Sequence, residues 1–587
     1  METSNLIKKT FINMLIVNAI SMVSGIVCVM VDSIVTGQFL GAQAVTAVGI
    51  LTPITMLINI FGVLFGPGLG IVCTRYVGMA KPERVVEVFS VVITTLVIMG
   101  TCVAIGLFIT APFISNLLGG KVGNQHIINM TTNYLRGFSF GILPMCLSMP
   151  LSGLMMLDND KMRSIAAMFA TLIADIVFDL ANVTIFHGGM WGMAIATALS
   201  QVVGLSVVLT HFLRKERILR YNPKNMHISD LKEVILCGIA NVISMGSQAV
   251  RGIIFNFVLL SVATGSAVAA LSACNSAFAV IIAVALSMFV TTSTICSLLY
   301  GEEDRKGLYQ AIQTSLHIVI PTIFVISAVM FIFAGGIAGF FLDKNAVEEL
   351  SQAARFIRFM AVQMLFNSIS YSLSGAYQGT RRLNLIYTII LLREGVFQII
   401  CVVVLGLIFG LHGVEIGILL SGVLIAVTCL IIPAVVNKRF SVKPKDLILL
   451  RDDFGPKPNE LFESSVNSMD GVMEASNNVM DFCKQNGVEK KKALQISLFI
   501  EEMAGNTVQY GFEDNQKGNV DIRLICRDNE QMIRIRDNGK PFDPLEWFKK
   551  NAPDDPVAGI GIRMIVKLSK DVQYIPAMGL NNLVIKV

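Results

Sequence analysis

The chain is 587 residues long, 54% of them hydrophobic and 15% charged, with a mean hydropathy of +0.68. That balance excludes an ordinary soluble domain and identifies a membrane protein. The formal net charge of +5 averages an apolar and a charged part and calls for no nucleic-acid partner, and the eleven cysteines show neither CxxC nor metal-ligand spacing, so no disulfide framework or zinc site is indicated.

Taken in chain order, spans are predicted near 11–38, 45–75, 86–115, 129–156, 164–186, 191–213, 231–261, 266–299, 308–341, 352–378, 384–410 and 415–437, each long enough for a bilayer crossing of about 20 residues. The first runs on without a small-residue cleavage site and reads as a span, not a removable leader. Basic residues follow every second span: Lys81 and Arg84, Lys161 and Arg163, Arg214 to Lys224, Arg305 and Lys306, Arg381 and Arg382, then Lys438 to Lys445. The opposite loops carry only Lys121 and Lys344, with Arg136, Arg355 and Arg358 deeper. The positive-inside rule therefore sets both termini in the cytoplasm, with the plasma (inner) membrane as the location.

The spans repeat at an offset of roughly 222 to 225 residues. "AVTAV" at Ala44 meets "AVAAL" at Ala267, Gly78 meets Gly301, "LSG" at Leu151 meets "LSG" at Leu373, and "HGGMWG" at His187 echoes "HGVEIG" at His412. An even number of spans per repeat makes the halves parallel: 1–220 is the first six-helix lobe and 221–440 the second, an arrangement that suits two lobes rocking around a central cavity.

Three polar positions in the first lobe share a depth. Asp32 near the end of span one, Asp179 near the end of span five and Thr197 near the start of span six each lie roughly 10 Å below the outer surface at 1.5 Å per residue. Asp175 is one helical turn from Asp179 on the same face, so the pair must share a proton or a cation to avoid two unscreened charges. The structural alternative is a set of carboxylates capped by serines and backbone. Intramembrane carboxylates are costly and usually functional, which favours a transport role.

"VDSIVTGQFLGAQAVTAVG" and "ADIVFDLANVTIFHGGMWGMAIATALSQ" resemble the first-loop signature and the fifth-to-sixth helix stretch of the multidrug and toxic-compound extrusion (MATE) family, over roughly residues 5 to 440. The resemblance implies a cation-coupling site made by Asp32, Asp175, Asp179 and Thr197. Asp175 stands where the family commonly has asparagine, which leaves proton or sodium open as the coupling ion. Arg393 and Glu394 on span eleven, where relatives often carry an arginine, form a candidate second-lobe polar site or a self-neutralising ion pair.

After Lys438 the composition changes to a charged linker with three prolines, 441–460, and then to a domain over 461–587. Its pattern predicts a short strand, helices near 468–485 and 489–510, strands near 519–527 and 530–536, a loop, a helix near 560–570 and strands near 572–575 and 581–587, a small α/β sandwich. In "EEMAGN" Glu502 and Asn506 share a helix face. An asparagine oxygen suits Mg²⁺, and a glutamate can orient or deprotonate water. Asp537 in "RDNGKPFDP" ends a strand and can accept from adenine's amino group, with Gly539 leaving room for a flat base; Gly559 and Gly561 open a helix whose free N–H groups suit phosphate.

Those three motifs, in that order, resemble the ATP-binding boxes of the gyrase, histidine-kinase and MutL (GHKL) superfamily, whose fold is the Bergerat type, and within it the anti-sigma-factor serine kinases. The resemblance implies Glu502 as base, Asn506 as Mg²⁺ ligand, Asp537 as adenine reader and Gly539, Gly559 and Gly561 as backbone positions, with ATP and Mg²⁺ bound. Tyr510 stands where many relatives have histidine, and 545–558 leaves room for only a short phosphate lid. No histidine follows residue 440, so a phosphoacceptor histidine within the domain is excluded; a serine/threonine kinase acting on a cytoplasmic partner, a slow ATPase and a nucleotide sensor stay open.

The expected fold is an α-helical membrane protein of twelve spans in two parallel lobes, with a C-terminal α/β ATP-binding domain. The expected function is cation-coupled export of small amphipathic or organic-cation compounds. No Walker loop occurs in the chain, so the domain is read as regulatory or kinase-like and not as the motor. A receptor that controls a kinase domain and a lipid-linked saccharide flippase are the alternatives; the acidic first lobe favours cationic cargo, while Arg251 and Arg393 keep the flippase open.

Overall fold

The computed structural model describes residues 5–119, 125–214, 217–262, 265–342, 346–512, 518–527, 530–551 and 559–587. The loop lysines 121 and 344 and the second half of the expected phosphate lid, 552–558, lie outside them.

The first helical half comprises α1 (Asn5–Val35), α2 (Ala42–Gly78), α3 (Pro82–Gly119), α4 (Gln125–Met155), α5 (Lys161–Ala181) and α6 (Gly189–Leu209). The second comprises α7 (Ser229–Val262), α8 (Gly265–Gly301), α9 (Arg305–Ile332), the short α10 (Ala334–Phe341), α11 (Val347–Gly379), α12 (Leu383–Leu391) and α13 (Phe397–Val436). Among the described residues, ten helical stretches are long and apolar enough to cross a membrane. The last of them, Leu383–Val436, is 54 residues long and breaks at Gly410, whose φ of 62° and ψ of −141° are not helical. At 33 residues α11 is as long as its neighbours, yet it is rich in serine and glutamine. Several of those groups are buried and paired inside the bundle: Ser315 donates to Ser372 at 3.0 Å, Gln363 to Ser421 at 3.0 Å, and Gln378 to the Cys237 carbonyl at 2.9 Å. A central helix surrounded by helices can carry polar groups that bond to one another, so its polarity does not by itself exclude a span.

The linker is strapped down. Leu447, Ile448 and Leu449 are buried, the Tyr377 hydroxyl donates to the Leu447 carbonyl, and Tyr300 stacks on Phe454 with centroids 4.8 Å apart. A single turn, α14 (Pro444–Leu447), starts at a proline, where a missing N–H costs nothing.

The C-terminal domain is a two-layer unit of β1 (Leu461–Val466), α15 (Met469–Gln485), α16 (Lys490–Tyr510), β2 (Val520–Arg527), β3 (Glu530–Asp537), α17 (Pro544–Asn551), α18 (Ile560–Leu568), β4 (Asp571–Ala577) and β5 (Leu580–Lys586). The Ser468 side chain caps α15 by accepting from the Gly471 N–H. The sheet is antiparallel throughout, in the order β1-β2-β3-β5-β4. Ile522, Leu524, Ile533, Ile535, Leu583 and Ile585 alternate onto one face and pack against α15, α16 and α18. The expected elements recur within a few residues; α17 stands where a plain loop was expected.

Below, "proximal" denotes the end of the helical part that faces this domain, and "distal" the opposite end.

Candidate functional site

α1 and α5 both end at the distal side in a π turn, Thr36–Leu40 and Asn182–Phe186. A wide turn spoils the regular i to i+4 ladder and re-aims the side chains just before it. Those side chains are Asp32, Asp175 and Asp179, which come together with carboxylate oxygens within 4.8 Å of one another. Asp175 has partners: Ser200 on α6 donates to its Oδ1 at 2.8 Å, and the Cys28 thiol to its Oδ2 at 2.8 Å. Among the described residues, both oxygens of Asp179 and Oδ1 of Asp32 are buried with no hydrogen-bond partner. Three carboxylates this close together repel one another, two of them with orphaned oxygens, and hard oxygen donors at this spacing can hold a proton or a cation.

Asp32, Asp175 and Thr197 line a cavity of about 760 Å³, walled mainly by α1, α2, α4, α5 and α6. Thr197 shares the cavity, but its hydroxyl donates to the Met193 carbonyl of its own helix at 3.2 Å. Ser200 and Cys28 escaped the sequence reading although helical spacing marks both: Ser200 lies three residues after Thr197, and Cys28 one turn before Asp32.

The second half holds a cluster of another kind. Arg393 and Glu394 occupy a third π turn, Leu392–Val396. The Arg393 Nε donates to Glu394 Oε1 at 2.8 Å, its guanidinium lies 3.8 Å from the Tyr371 ring centre, and Arg251 reaches Glu394 Oε2 at 3.3 Å and Gln398 Oε1 at 3.0 Å. The expected Arg393–Glu394 pair is formed, and Arg251 joins it.

In the C-terminal domain Glu502 and Asn506 lie one turn apart on α16. The Glu502 carboxylate rests on Gly561 so closely that a Cβ there would sit 2.1 Å from Oε2. Gly559 begins α18 with φ of 62°, and the Trp547 ring of α17 occupies the place of the missing side chain. Asp537 ends β3 and is buried; its Oδ1 accepts from the Gly539 N–H at 2.8 Å and from Asn581 Nδ2 at 2.8 Å. Burial pushes this carboxyl above the usual carboxylate range, while Asn581 and the Gly539 N–H pull the other way. Asn581 also donates to the Gly539 carbonyl at 3.1 Å and accepts from the Tyr574 hydroxyl at 2.9 Å. The three motifs are thus joined in space: Lys540 N–H, next to Gly539, bonds the Gly511 carbonyl just past α16 at 2.7 Å. Asn581 and Tyr574 belong to none of the three motifs, and only the pairing of Asp537 with Asn581 across β3 and β5 reveals their role.

Residues 19–181 and 241–404, more than half of the chain, match the MatE family, and residues 467–586 match the family described as "Histidine kinase-like ATPase domain". The multidrug export protein MepA of Staphylococcus saprophyticus is 24% identical over 425 residues, covering 70% of this chain and 90% of that protein; MepA of Staphylococcus aureus is 22% identical over 418 residues, covering 69% and 89%. Among solved structures, a MATE protein in complex with MaL6 superposes with a TM-score of 0.68 at 21% identity, covering 72% of this chain and 94% of that one. An outward-facing multidrug resistance MATE transporter of the MOP superfamily gives 0.67 at 20%, covering 72% and 94%. The family matches and the shared fold lead to one conclusion: the chain belongs to the MatE family and continues into a histidine kinase-like ATPase domain.

Proposed function

We propose that the protein is a cation-coupled antiporter that exports small amphipathic or organic-cation compounds, with twelve spans in two parallel six-helix lobes, both termini in the cytoplasm, and the plasma membrane as its site. The observation that carries this reading is the Asp32–Asp175–Asp179 cluster, with its orphaned oxygens, two of whose members, Asp32 and Asp175, line the cavity. A proton or sodium ion bound there removes the repulsion among the carboxylates, and a cationic cargo entering the cavity replaces it. Competition for the same negative charge is the simplest physical basis of exchange. That relatives over most of their length are named multidrug exporters supports the cargo class.

The C-terminal domain is read as an ATP- and Mg²⁺-binding regulator. Asp537 and Gly539 would take the adenine, Asn506 the metal ion, and the α18 start at Gly559 and Gly561 the phosphates, with Glu502 placed to orient or deprotonate water. ATP would supply a cleavable phosphoryl group or simply binding energy. A cytoplasmic protein substrate for a serine/threonine kinase reaction belongs to the same proposal.

Uptake of an organic cation such as ethidium into inverted vesicles, driven in turn by a proton gradient, a sodium gradient and ATP, tests the assignment. One of the ion gradients drives uptake, ATP alone does not, and Asp32→Asn removes the signal. Transport that stops in Glu502→Ala and survives in Asp32→Asn would overturn it.

A further inference from the structure

A two-layer domain covers one face of its sheet with helices and normally wets the other. In this domain the second face is buried too. Arg523, Arg534, Arg536 and Asn582 alternate onto it, each no more than 5% exposed, and what covers them is the proximal end of the helical part. Arg534 donates Nη2 to the Gly78 carbonyl, at the end of α2, at 2.8 Å, and its Nη1 lies 2.8 Å from Glu302 Oε1, just past α8. Arg536 holds the other oxygen of Glu302 at 2.8 Å, and Arg523 reaches the Glu302 carbonyl at 3.2 Å. The β4–β5 turn makes a further contact with the first half, where Gly579 N–H bonds the Asn159 side chain between α4 and α5.

These contacts fall on the seam between the two halves. α2 and α8 touch there backbone to backbone: a Cβ on Gly78 would meet the Leu298 carbonyl at 2.2 Å, and one on Gly301 the Arg75 carbonyl at 2.2 Å. Ser297 donates across the seam to the Ile71 carbonyl at 2.7 Å. A motion that parts α2 from α8 would draw Gly78 away from Glu302.

We propose that the outer face of the ATPase sheet is a latch across this seam, with Arg534 gripping both halves at once, and that nucleotide bound at Asp537 sets how firmly the latch holds. The latch and the nucleotide contact share one strand: Arg534, Arg536 and Asp537 lie within four residues of β3, on a rigid ladder between β2 and β5. A shift of the strand end that carries Asp537 is a shift of the arginines that close the seam. The nucleotide half of this inference rests on the reading of Asp537 given above; the mechanical half does not.

Cys296 on α8, a free thiol with no exposed surface, directly precedes Ser297, whose hydroxyl bonds across the seam, and so serves as a reporter of movement of α8 at that place. The full-length chain in proteoliposomes is exposed to N-ethylmaleimide, and labelling of Cys296 and of Cys483, buried in the ATPase core, is followed by peptide mass. Arg534→Ala should speed Cys296 labelling by about tenfold or more, since a buried charged contact that bridges two bodies controls their local opening. In the native chain MgATP should change the rate by at least about threefold, a change absent in Arg534→Ala and in Asp537→Asn. If Cys483 also becomes reactive in Arg534→Ala, the domain has unfolded and Glu302→Gln, which leaves every ATPase residue in place, decides instead. Unaltered Cys296 labelling in a folded Arg534→Ala or Glu302→Gln chain overturns the latch. A faster rate that never responds to MgATP in any chain keeps the seam contact but removes nucleotide control, and with it the regulatory reading of Asp537. Failure of ion-driven transport would leave all of these labelling outcomes unchanged.

Discussion

The first helical half gathers three carboxylates, Asp175 and Asp179 buried and Asp32 half-buried, and among the described residues three of their oxygens have no partner. The second half buries Arg393 and Glu394 at a comparable π turn, with the half-buried Arg251 of α7 beside them, and there the glutamate is held by both arginines, one of which also stacks on Tyr371. Both clusters lie inside apolar helices. The difference is in pairing. A buried group that already has its partners is fixed in place and costs much to break, whereas a buried group without one gains from whatever ion can reach it. Under the proposed function, exchange falls to the first half and cohesion to the second.

Substitutions separate the two. Asp32→Asn and Asp179→Asn should lower ion-driven transport by about 100-fold or more, because the charge to be exchanged is gone. Since Asp179 has no partner to lose, the Asp179→Asn protein should unfold in detergent at a temperature no lower than the parent. A variant that lost both transport and thermal stability would show that the carboxylates are structural.

Glu394→Gln strands two arginines and should cost about 3 to 5 kcal/mol of stability, seen as a lower unfolding temperature. Transport per folded molecule should stay within about twofold of the parent, since a cohesive pair affects how much protein is folded and not what the folded protein does. A selective loss of transport in a protein that melts normally would move Arg393 and Glu394 into the transport site and reverse the comparison.

How much of this could be read from residues alone depended on the range of the interaction. Short-range patterns were legible. The alternation in β2 and β3, the Ser468 cap and the shared face of Glu502 and Asn506 repeat over a few residues, so the domain's elements appear close to their expected places. Asp32, Asp175 and Asp179 were legible because charge in an apolar run stands out. α17 was not, because "PLEWFKKN" is short and half polar, and Trp547 finds its place only against Gly559, twelve residues on. α11 met the length for a span but hides its serines and glutamines among neighbours that no local window contains. Arg523, Arg534 and Arg536 were invisible as a contact surface for a related reason. Alternating arginines on a strand read as the solvent face of a sheet, and only the meeting of residue 534 with residues 78 and 302 changes that.

The smallest effects belong to the nucleotide site, and they also test whether energy and regulation are separate. Glu502→Ala should leave gradient-driven transport within about twofold of the parent, as expected when transport energy comes from the ion gradient. Asn581→Ala should weaken binding of a fluorescent ATP analogue by about tenfold, from the loss of one hydrogen bond to a charged acceptor. The two changes should also differ in pH dependence. Adenine recognition needs Asp537 ionised as an acceptor, and burial holds its carboxyl above the ordinary range. Affinity should therefore be full well above that pKa and fall as pH drops through it, at a higher pH than an exposed aspartate would give. Asn581 donates to the ionised form and pulls the pKa down, so its removal should move the loss of affinity to still higher pH, while Glu502→Ala leaves the midpoint where it was. A midpoint that shifts equally in both variants would mean that the titrating group is not Asp537.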